Sequence, residues 1–173
     1  MAKTIEQLLA ESEIRDVHAT YCRAADRMDF DLYKTCFHED AKLDFSFFSG
    51  SVEEFLVMAR TSLGGFMLTT HFTGNSLVQV EGDSAACEFY TCATHRIAAD
   101  DKGPDRDYVA SVRYVDRMER RGGKWRIAHR QCLLDWARTD PVPDYCEGAK
   151  TGGALRDGSD PSSDVLRFRL GQG

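Results

Sequence analysis

The sequence lacks an excess of positive charge and lacks any long hydrophobic run. Among its 173 residues, 22 are Lys or Arg and 28 are Asp or Glu, which gives a formal net charge of −6 at pH 7. Affinity for nucleic acids and for anionic membranes depends on clustered basic side chains, so we expect neither kind of partner. No apolar stretch approaches the roughly 20 residues of a membrane-spanning helix, and the first residues contain no signal-peptide core. We therefore expect a soluble, cytoplasmic protein.

The sequence also lacks the cysteine spacing of a disulfide framework or a zinc site. Its six cysteines lie at positions 22, 36, 87, 92, 132 and 146, without a Cys-x-x-Cys pair. Structural zinc sites use closely spaced ligand pairs, and scattered intracellular cysteines are mostly small buried hydrophobic residues. A phosphate-binding loop, a dinucleotide-binding glycine pattern and a nucleophile elbow are missing as well. We therefore expect no metal and no cofactor.

The first third of the chain has the pattern of helices. Apolar residues recur at steps of three and four over residues 14–28, which predicts one long helix with a single apolar face. Thr4-Ile5-Glu6-Gln7 fits a capping box at its start, and Ser51-Val52-Glu53-Glu54 fits a capping box that opens a later helix. Asp29 lies between them, where it is expected to cap a short second helix.

The rest of the chain has the pattern of strands, followed by a tail. Five segments rich in β-branched and aromatic residues are separated by turn residues, and they cover 41–48, 68–80, 84–98, 108–119 and 124–137. Helices followed by long strands predict an α+β fold, with three N-terminal helices packed on a curved antiparallel sheet. We expect this domain to span residues 1–138. Residues 139–173, rich in proline and glycine, are expected to be a disordered tail or a lid.

Histidine is the side chain best suited to proton transfer near neutral pH, and the sequence has only five. His71 and His95 lie within predicted strands, and His95 shares the parity of the small and apolar residues of its strand. His18 is expected at the edge of the first helix, and His38 in a solvated turn. His129 is on the last strand, where either it or the next residue must point inward.

Asp26 is a carboxylate in an unfavourable place. It lies at the C-terminal end of the predicted first helix, where a negative charge opposes the helix dipole. It also follows Ala24 and Ala25, which belong to the apolar packing side of that helix. Taken singly, such a residue is more often structural than catalytic. Its position nevertheless indicates a partner, and an inward-facing histidine is the natural candidate.

Three segments together resemble a known family. Tyr21-Cys22-Arg23-Ala24-Ala25-Asp26, Thr70-His71-Phe72-Thr73-Gly74-Asn75 and Gly123-Lys124-Trp125-Arg126-Ile127 are similar to segments of the SnoaL-like, nuclear transport factor 2-like superfamily. The resemblance covers roughly residues 8–138, and it is nearest to scytalone dehydratase, the bile-acid 7α-dehydratase and the hexachlorocyclohexane dehydrochlorinase. It implies a cone-shaped α+β barrel whose cavity holds an Asp–His dyad.

The resemblance also implies a role for each matching residue. Asp26 would accept a hydrogen bond from the His71 imidazole and stabilise the imidazolium, and His71 would abstract a proton from carbon or pass one to a leaving group. Tyr21 and Arg130 would donate hydrogen bonds to developing negative charge. His95 coincides with the second histidine of scytalone dehydratase, which has no arginine at the position of Arg130. The expected catalytic set is therefore a hybrid of the patterns of several relatives.

The function implied by the resemblance is that of a cofactor-independent lyase of the dehydratase type. Its substrate would be a cyclic hydrophobic small molecule, such as a steroid-like or polyketide-like compound. An apolar cavity wall is expected from Phe55, Met58, Phe66, Phe89 and Leu134. Two alternatives stay open, because one fold can serve several functions. They are an isomerase or cyclase that uses the same dyad, and a non-catalytic protein that binds apolar ligands.

The resembling dehydratases further imply a homo-oligomer, with a trimer favoured. Such an assembly would cover an apolar outer face of the sheet. We expect Val112, Tyr114, Ile127 and Leu133 to form that face.

Overall fold

The computed structural model describes residues 2–142 and 155–165, and the account that follows concerns these residues. The elements along the chain are α1 (Ile5–Arg27), α2 (Phe30–Thr35), β1 (Phe37–Phe45), β2 (Phe48–Ser51), α3 (Val52–Gly64), β3 (Leu68–Glu81), β4 (Ser84–Ile97), β5 (Arg106–Arg121), β6 (Lys124–Pro141) and α4 (Ser162–Val165). None of the described helices is long and apolar enough to cross a membrane.

The helices begin where the capping patterns predict. At the start of α1, Thr4 Oγ1 accepts from the backbone of Gln7 at 3.2 Å, and Gln7 Oε1 accepts from the backbone of Thr4 at 2.9 Å. Ser51 and Glu54 make the same reciprocal bonds at the start of α3. Asp29 caps α2 by accepting from a backbone N–H three residues later. All three predicted caps are confirmed.

The first helix ends at a residue with left-handed backbone geometry. Met28 has φ 56° and ψ 29°, and its N–H bonds to the carbonyls of Ala24 and Ala25. Glycine usually occupies such a position, because a side chain is strained there. The turn sends the chain directly into α2 and fixes the last turn of α1, which contains Asp26.

The strands form one curved, unclosed sheet in the order β2-β1-β6-β5-β4-β3. The α+β prediction is confirmed, with the three helices on one face. One detail of it is wrong, because β1 and β6 pair in parallel while all other neighbours are antiparallel. Sequence periodicity reports which residues form a strand and not which strand lies beside it. The prediction also placed the start of β1 four residues late and missed β2.

The core lies between the helices and the inward-facing residues of the sheet. Val112, Tyr114 and Ile127 belong to this core, with 8%, 4% and 0% of their surface exposed. The expectation that they form the outer face is therefore wrong, because their parity along β5 and β6 directs them inward. Leu133 is 40% exposed and does face outward.

The predicted boundary between domain and tail falls within the last strand. β6 continues to Pro141, three residues beyond residue 138. Residues 155–165 return to the body of the domain and end in the short helix α4. The expectation of a disordered tail or lid otherwise falls on residues 143–154 and 166–173, which lie outside the described residues, as does Cys146.

Candidate active site

Asp26 and His71 form a closely hydrogen-bonded pair. His71 Nδ1 lies 2.7 Å from Asp26 Oδ1, and the backbone nitrogen of His71 donates to Asp26 Oδ2 at 3.0 Å. Only 13% of the Asp26 side chain and 7% of the His71 side chain are exposed. Because a carboxylate only accepts hydrogen bonds, Nδ1 is the donor, and in the neutral imidazole Nε2 keeps its lone pair. An imidazole held in this way can act as a base at Nε2.

His71 lies on the border of two cavities, one with a mainly apolar wall and one with more charged and polar side chains in its wall. The apolar cavity, of about 280 Å³, lies between α1, α3 and the sheet. Its wall includes four of the five expected pocket residues, which are Phe55, Met58, Phe66 and Leu134. The polar cavity, of about 490 Å³, opens along α1 and β3. It is lined by Arg15, Arg23 and Arg27 together with Asp26, His71 and Thr73.

The fifth expected pocket residue, Phe89, does not line the apolar cavity. It lies on the inward face of β4 as its parity predicts, but nearer the start of the strand than Ala93 and His95, which line the apolar cavity. There it contributes to the wall of the polar cavity, and its ring stacks on that of His18 at a centroid distance of 3.9 Å. The prediction was correct for the face of the sheet and wrong for the cavity.

Tyr21 is buried in the wall of the apolar cavity. Burial raises the pKa of its hydroxyl to about 12, so Tyr21 stays protonated at neutral pH. Tyr33 lies beside it, and burial raises the pKa of Tyr33 well above its usual value as well. Either phenol hydroxyl can donate or accept a hydrogen bond.

Arg130 is fully buried, but its charge is directed at Asp116 rather than into a cavity. Arg130 Nε lies 2.7 Å from Asp116 Oδ1, and Nη2 lies 2.6 Å from Oδ2. The guanidinium is also enclosed by the rings of Tyr21 and Tyr114, at 4.0 and 4.4 Å from their centroids. Arg130 lines neither of the two cavities described above. In this arrangement Arg130 packs behind the cavity wall, and its guanidinium faces neither cavity.

His18 belongs to the same buried network and not to the edge of the helix. It is 3% exposed, and its Nδ1 lies 3.2 Å from Arg130 Nη2 while its Nε2 lies 2.9 Å from Thr73 Oγ1. Because arginine only donates, Nδ1 accepts and Nε2 donates to Thr73. Burial, and then the charge of Arg130, lowers the pKa of His18 well below its usual value. His18 is thus neutral, in a single tautomer.

His95 lies in the apolar cavity close to His71. Their rings are perpendicular, with centroids 5.5 Å apart. Burial, and then the nearby His71, lowers the pKa of His95 to about 4, although a hydrogen bond to the backbone of Tyr108 opposes this shift. Nδ1 is buried and has no hydrogen-bond partner among the described residues. Nδ1 can therefore form a hydrogen bond with a ligand that enters the cavity.

The family of the chain follows from comparison with known proteins. The model of the SnoaL-like domain matches residues 6–131, a span that includes Asp26, His71, His95 and Arg130. The chain belongs to the SnoaL-like family. This confirms the resemblance read from the sequence. No curated protein gave a match to this SnoaL-like chain.

Solved structures with the same fold include proteins of assigned and unassigned function. Rv3472 of Mycobacterium tuberculosis, a protein of unknown function, has a TM-score of 0.66 and 26% identity over 78% of this chain and 77% of that chain. A candidate scytalone dehydratase from Novosphingobium aromaticivorans has a TM-score of 0.68 and 18% identity over 79% and 91%. A type 2 hexachlorocyclohexane dehydrochlorinase (LinA) has a TM-score of 0.71 and 13% identity over 82% and 98%. At the identities of the last two, the likeness shows the fold alone.

The remaining histidines of the SnoaL-like domain lie away from both cavities. His38 is not in a solvated turn, because β1 already begins at Phe37; it is 6% exposed and bonds to the carbonyl of Glu119 at 2.9 Å. His129 faces outward and bonds to Asp44 at 2.8 Å. Among residues 2–142 and 155–165, no group of three or more His, Cys, Asp or Glu is placed to hold a metal ion.

Two residues that contact the candidate site were missed in the sequence. Asp116 shares the parity of Tyr114 and Met118 on β5, so alternation alone would have revealed an inward-facing carboxylate in need of a cation. Arg156 lies in the tail, where no pattern in the sequence indicates that it reaches the site.

Proposed function

We propose that this SnoaL-like protein is a cofactor-independent lyase of the dehydratase type. It would remove water, or another small leaving group, from a cyclic hydrophobic molecule such as a steroid-like or polyketide-like compound. The observation that carries the proposal is the Asp26–His71 pair at the wall of an apolar cavity. A protein that only binds apolar ligands gains nothing from a buried carboxylate and imidazole, since their burial costs free energy.

The elimination would proceed by general base and general acid catalysis. His71 Nε2 takes a proton from a carbon of the substrate, and Asp26 stabilises the imidazolium that forms. The electrons of the broken C–H bond form the new C=C bond as the C–O bond to the leaving hydroxyl breaks. The hydroxide takes up the proton from His71 and leaves as water, so the enzyme returns to its starting state.

Two further residues of the apolar cavity have suitable hydrogen-bonding groups. The Tyr21 hydroxyl, which burial keeps protonated at neutral pH, can donate a hydrogen bond to the departing oxygen. The unpartnered Nδ1 of His95 can accept from a hydroxyl of the substrate and hold it beside His71. Arg130 would act through Tyr21 and His18, which its guanidinium contacts.

The size of the cavity favours a compact substrate. Ligand pockets commonly measure about 300–1,000 Å³, and the apolar cavity, at about 280 Å³, lies just below that range. Within the proposed class, compounds of one or two rings therefore come before larger, steroid-like ones in the test.

The test is turnover of a panel of hydroxylated cyclic compounds, followed by mass spectrometry and by absorbance of the new double bond. We expect loss of one water, and we expect His71→Ala and Asp26→Asn each to lower kcat by about 10²–10⁴ while ligand binding persists. His129→Ala is the matched control, because it removes an outward-facing histidine that also bonds to an aspartate. A His71→Ala variant with the full kcat would contradict the mechanism.

Other outcomes of the same panel identify the alternative functions. A product with the mass of the substrate indicates an isomerase or cyclase that uses the same pair. Binding without turnover, with an affinity that responds to Phe55→Leu and not to His71→Ala, indicates a binding protein.

The homo-oligomer remains a proposal, with a trimer as the favoured state. It is supported by exposed apolar residues on the outer face of the sheet, where Phe72 is 72%, Trp136 49% and Leu133 40% exposed. Light scattering that gives the mass of one 19.4 kDa chain at micromolar concentration would contradict it.

A further inference from the structure

Residues 155–165 lie outside the span matched by the SnoaL-like family and pack at the border of the two cavities. Arg156 of this segment donates to three backbone carbonyls at once. Its Nε lies 3.2 Å from the carbonyl oxygen of Asp26, Nη1 lies 2.6 Å from that of Phe66, and Nη2 lies 3.0 Å from that of Leu63. One side chain from the tail therefore connects the ends of α1 and α3.

Helix ends explain why an arginine fits here. The last carbonyls of a helix have no partner within it, and the helix dipole places partial negative charge there. A guanidinium satisfies both needs, because it carries a positive charge and several N–H donors in a rigid plane. Leu63 and Phe66 line the apolar cavity and Asp26 lines the polar one, so all three contacts lie in cavity walls.

We propose that Arg156 is a positioning residue for the Asp26–His71 pair, an inference that rests on the function proposed above. Arg156 holds the backbone of Asp26 in the last turn of α1, and this turn determines where the carboxylate points. Without that contact, the carboxylate would meet His71 Nδ1 less often in the orientation that leaves Nε2 toward the substrate. The tail would thus complete the site of the SnoaL-like domain.

Further contacts fix the segment that carries Arg156. Asp160 Oδ2 lies 3.3 Å from Arg27 Nε on α1, and Arg23 Nη1 donates to Ser162 Oγ at 2.9 Å. Hydrogen bonds from Ser162 lower the pKa of Asp160 to about 2, so it is a carboxylate at neutral pH. The segment is therefore held along α1 at two positions besides Arg156.

The charge of Arg156 also acts on the site. Burial lowers the pKa of Arg156, and the nearby Asp26 carboxylate opposes this change. Arg156 in turn is one of the smaller causes that lower the pKa of His95. Both effects agree with a guanidinium close to the groups that it would position.

The first test does not require a substrate. In protein labelled with ¹⁵N-histidine, the His71 Nδ1 proton bound to Asp26 should give a downfield NMR signal that exchanges slowly with water. We expect Arg156→Met to accelerate this exchange by at least about tenfold and Arg156→Lys, which keeps the charge but has one donor nitrogen, to have an intermediate effect. Arg117→Met is the matched control, since Arg117 is an exposed partner of Glu119 on β5. Equal exchange in all four proteins would overturn the proposal.

The second test separates Arg156 from the function itself. With a substrate in hand, Arg156→Met should lower kcat by about 10- to 100-fold with a much smaller change in KM, as expected for a displaced base. Millimolar guanidinium ion should restore part of the kcat of Arg156→Ala.

The outcomes separate the two proposals. If the parent has turnover and Arg156→Met keeps its kcat, the positioning role is wrong and the proposed lyase function is unaffected. If the parent has no turnover, the exchange measurement still decides the role of Arg156. Should the Met variant not fold, the Lys variant decides in both tests.

Discussion

The buried ion pair between Arg130 and Asp116 allows a sharp prediction about stability. Both side chains are 0% exposed, and two hydrogen bonds join them. Replacing Asp116 with Leu leaves a guanidinium without a counter-ion in the core, and Arg130→Met leaves a carboxylate without one. Removing one member of such a pair costs about 3–5 kcal/mol. A domain of this size is stable by only about 5–15 kcal/mol, so each single change should remove a large share of the free energy of unfolding.

The double variant distinguishes the contribution of the ion pair to stability from the contribution of side-chain packing. Arg130→Met combined with Asp116→Leu replaces the pair with apolar side chains, an exchange that is often neutral in buried sites. His18 Nδ1 then loses the donor Arg130, which costs about 1–3 kcal/mol. The double variant should therefore be more stable than either single variant.

Urea unfolding followed by the fluorescence of Trp125 and Trp136 measures these differences. The control is Arg113→Met, which removes a partly exposed cation bonded to Glu88 and Asp135 and should cost far less than either change in the buried pair. Additive single effects, or a cost below about 1 kcal/mol for Arg130→Met, would refute this account of the pair. A stable Arg130→Met variant with a strongly reduced kcat would instead return Arg130 to the catalytic residues.

Three other outcomes follow from the described contacts. The pKa of His95 is near 4 in the folded protein and near 6.5 when unfolded, so the unfolded chain binds more protons between these values. His95 should therefore lower the stability by up to about 3 kcal/mol as the pH drops from 6.5 to 4, besides the fall contributed by His18, and His95→Leu should remove this part of the fall in urea titrations. Ser51→Ala removes the cap of α3 and should cost about 1 kcal/mol by the same titration at pH 7. Phe55→Ala should lower the free energy of unfolding by about 3–5 kcal/mol, because Phe55 is buried in the core. Phe72→Ala, on the exposed outer face, should change it by less than about 0.5 kcal/mol. Equal effects of the two substitutions would contradict the assignment of the two faces.

Local features of the fold could be predicted because their causes lie within a few residues. The capping boxes at Thr4 and Ser51 are made by side chains three positions apart, and strand alternation placed His95 on the inward face. The unfavourable position of Asp26 at a helix end indicated a partner before any pairing was known. These predictions required no knowledge of which elements meet in space.

Other features depend on contacts between distant segments, and local patterns carry no information about them. The edge position expected for His18 follows from its helical phase, but Arg130 and Thr73 come from strands far along the chain and enclose it. The resemblance implied that Arg130 faces developing negative charge, and its partner Asp116, on another strand, was not recognised from the sequence. The parallel pairing of β1 with β6 likewise depends on the path of the whole chain.

That parallel pairing has a consequence for how the protein folds. Phe37 lies opposite Ile127, and Phe45 lies opposite Cys132, so the paired residues are 90 and 87 positions apart. A high contact order of this kind slows folding, because a long loop must close before its contacts stabilise it. During synthesis, β1 and β2 leave the ribosome well before β6 and have no sheet to join. Until the last strand arrives, the hairpin presents an open edge to other chains, and this interval is when the nascent protein is most exposed to aggregation.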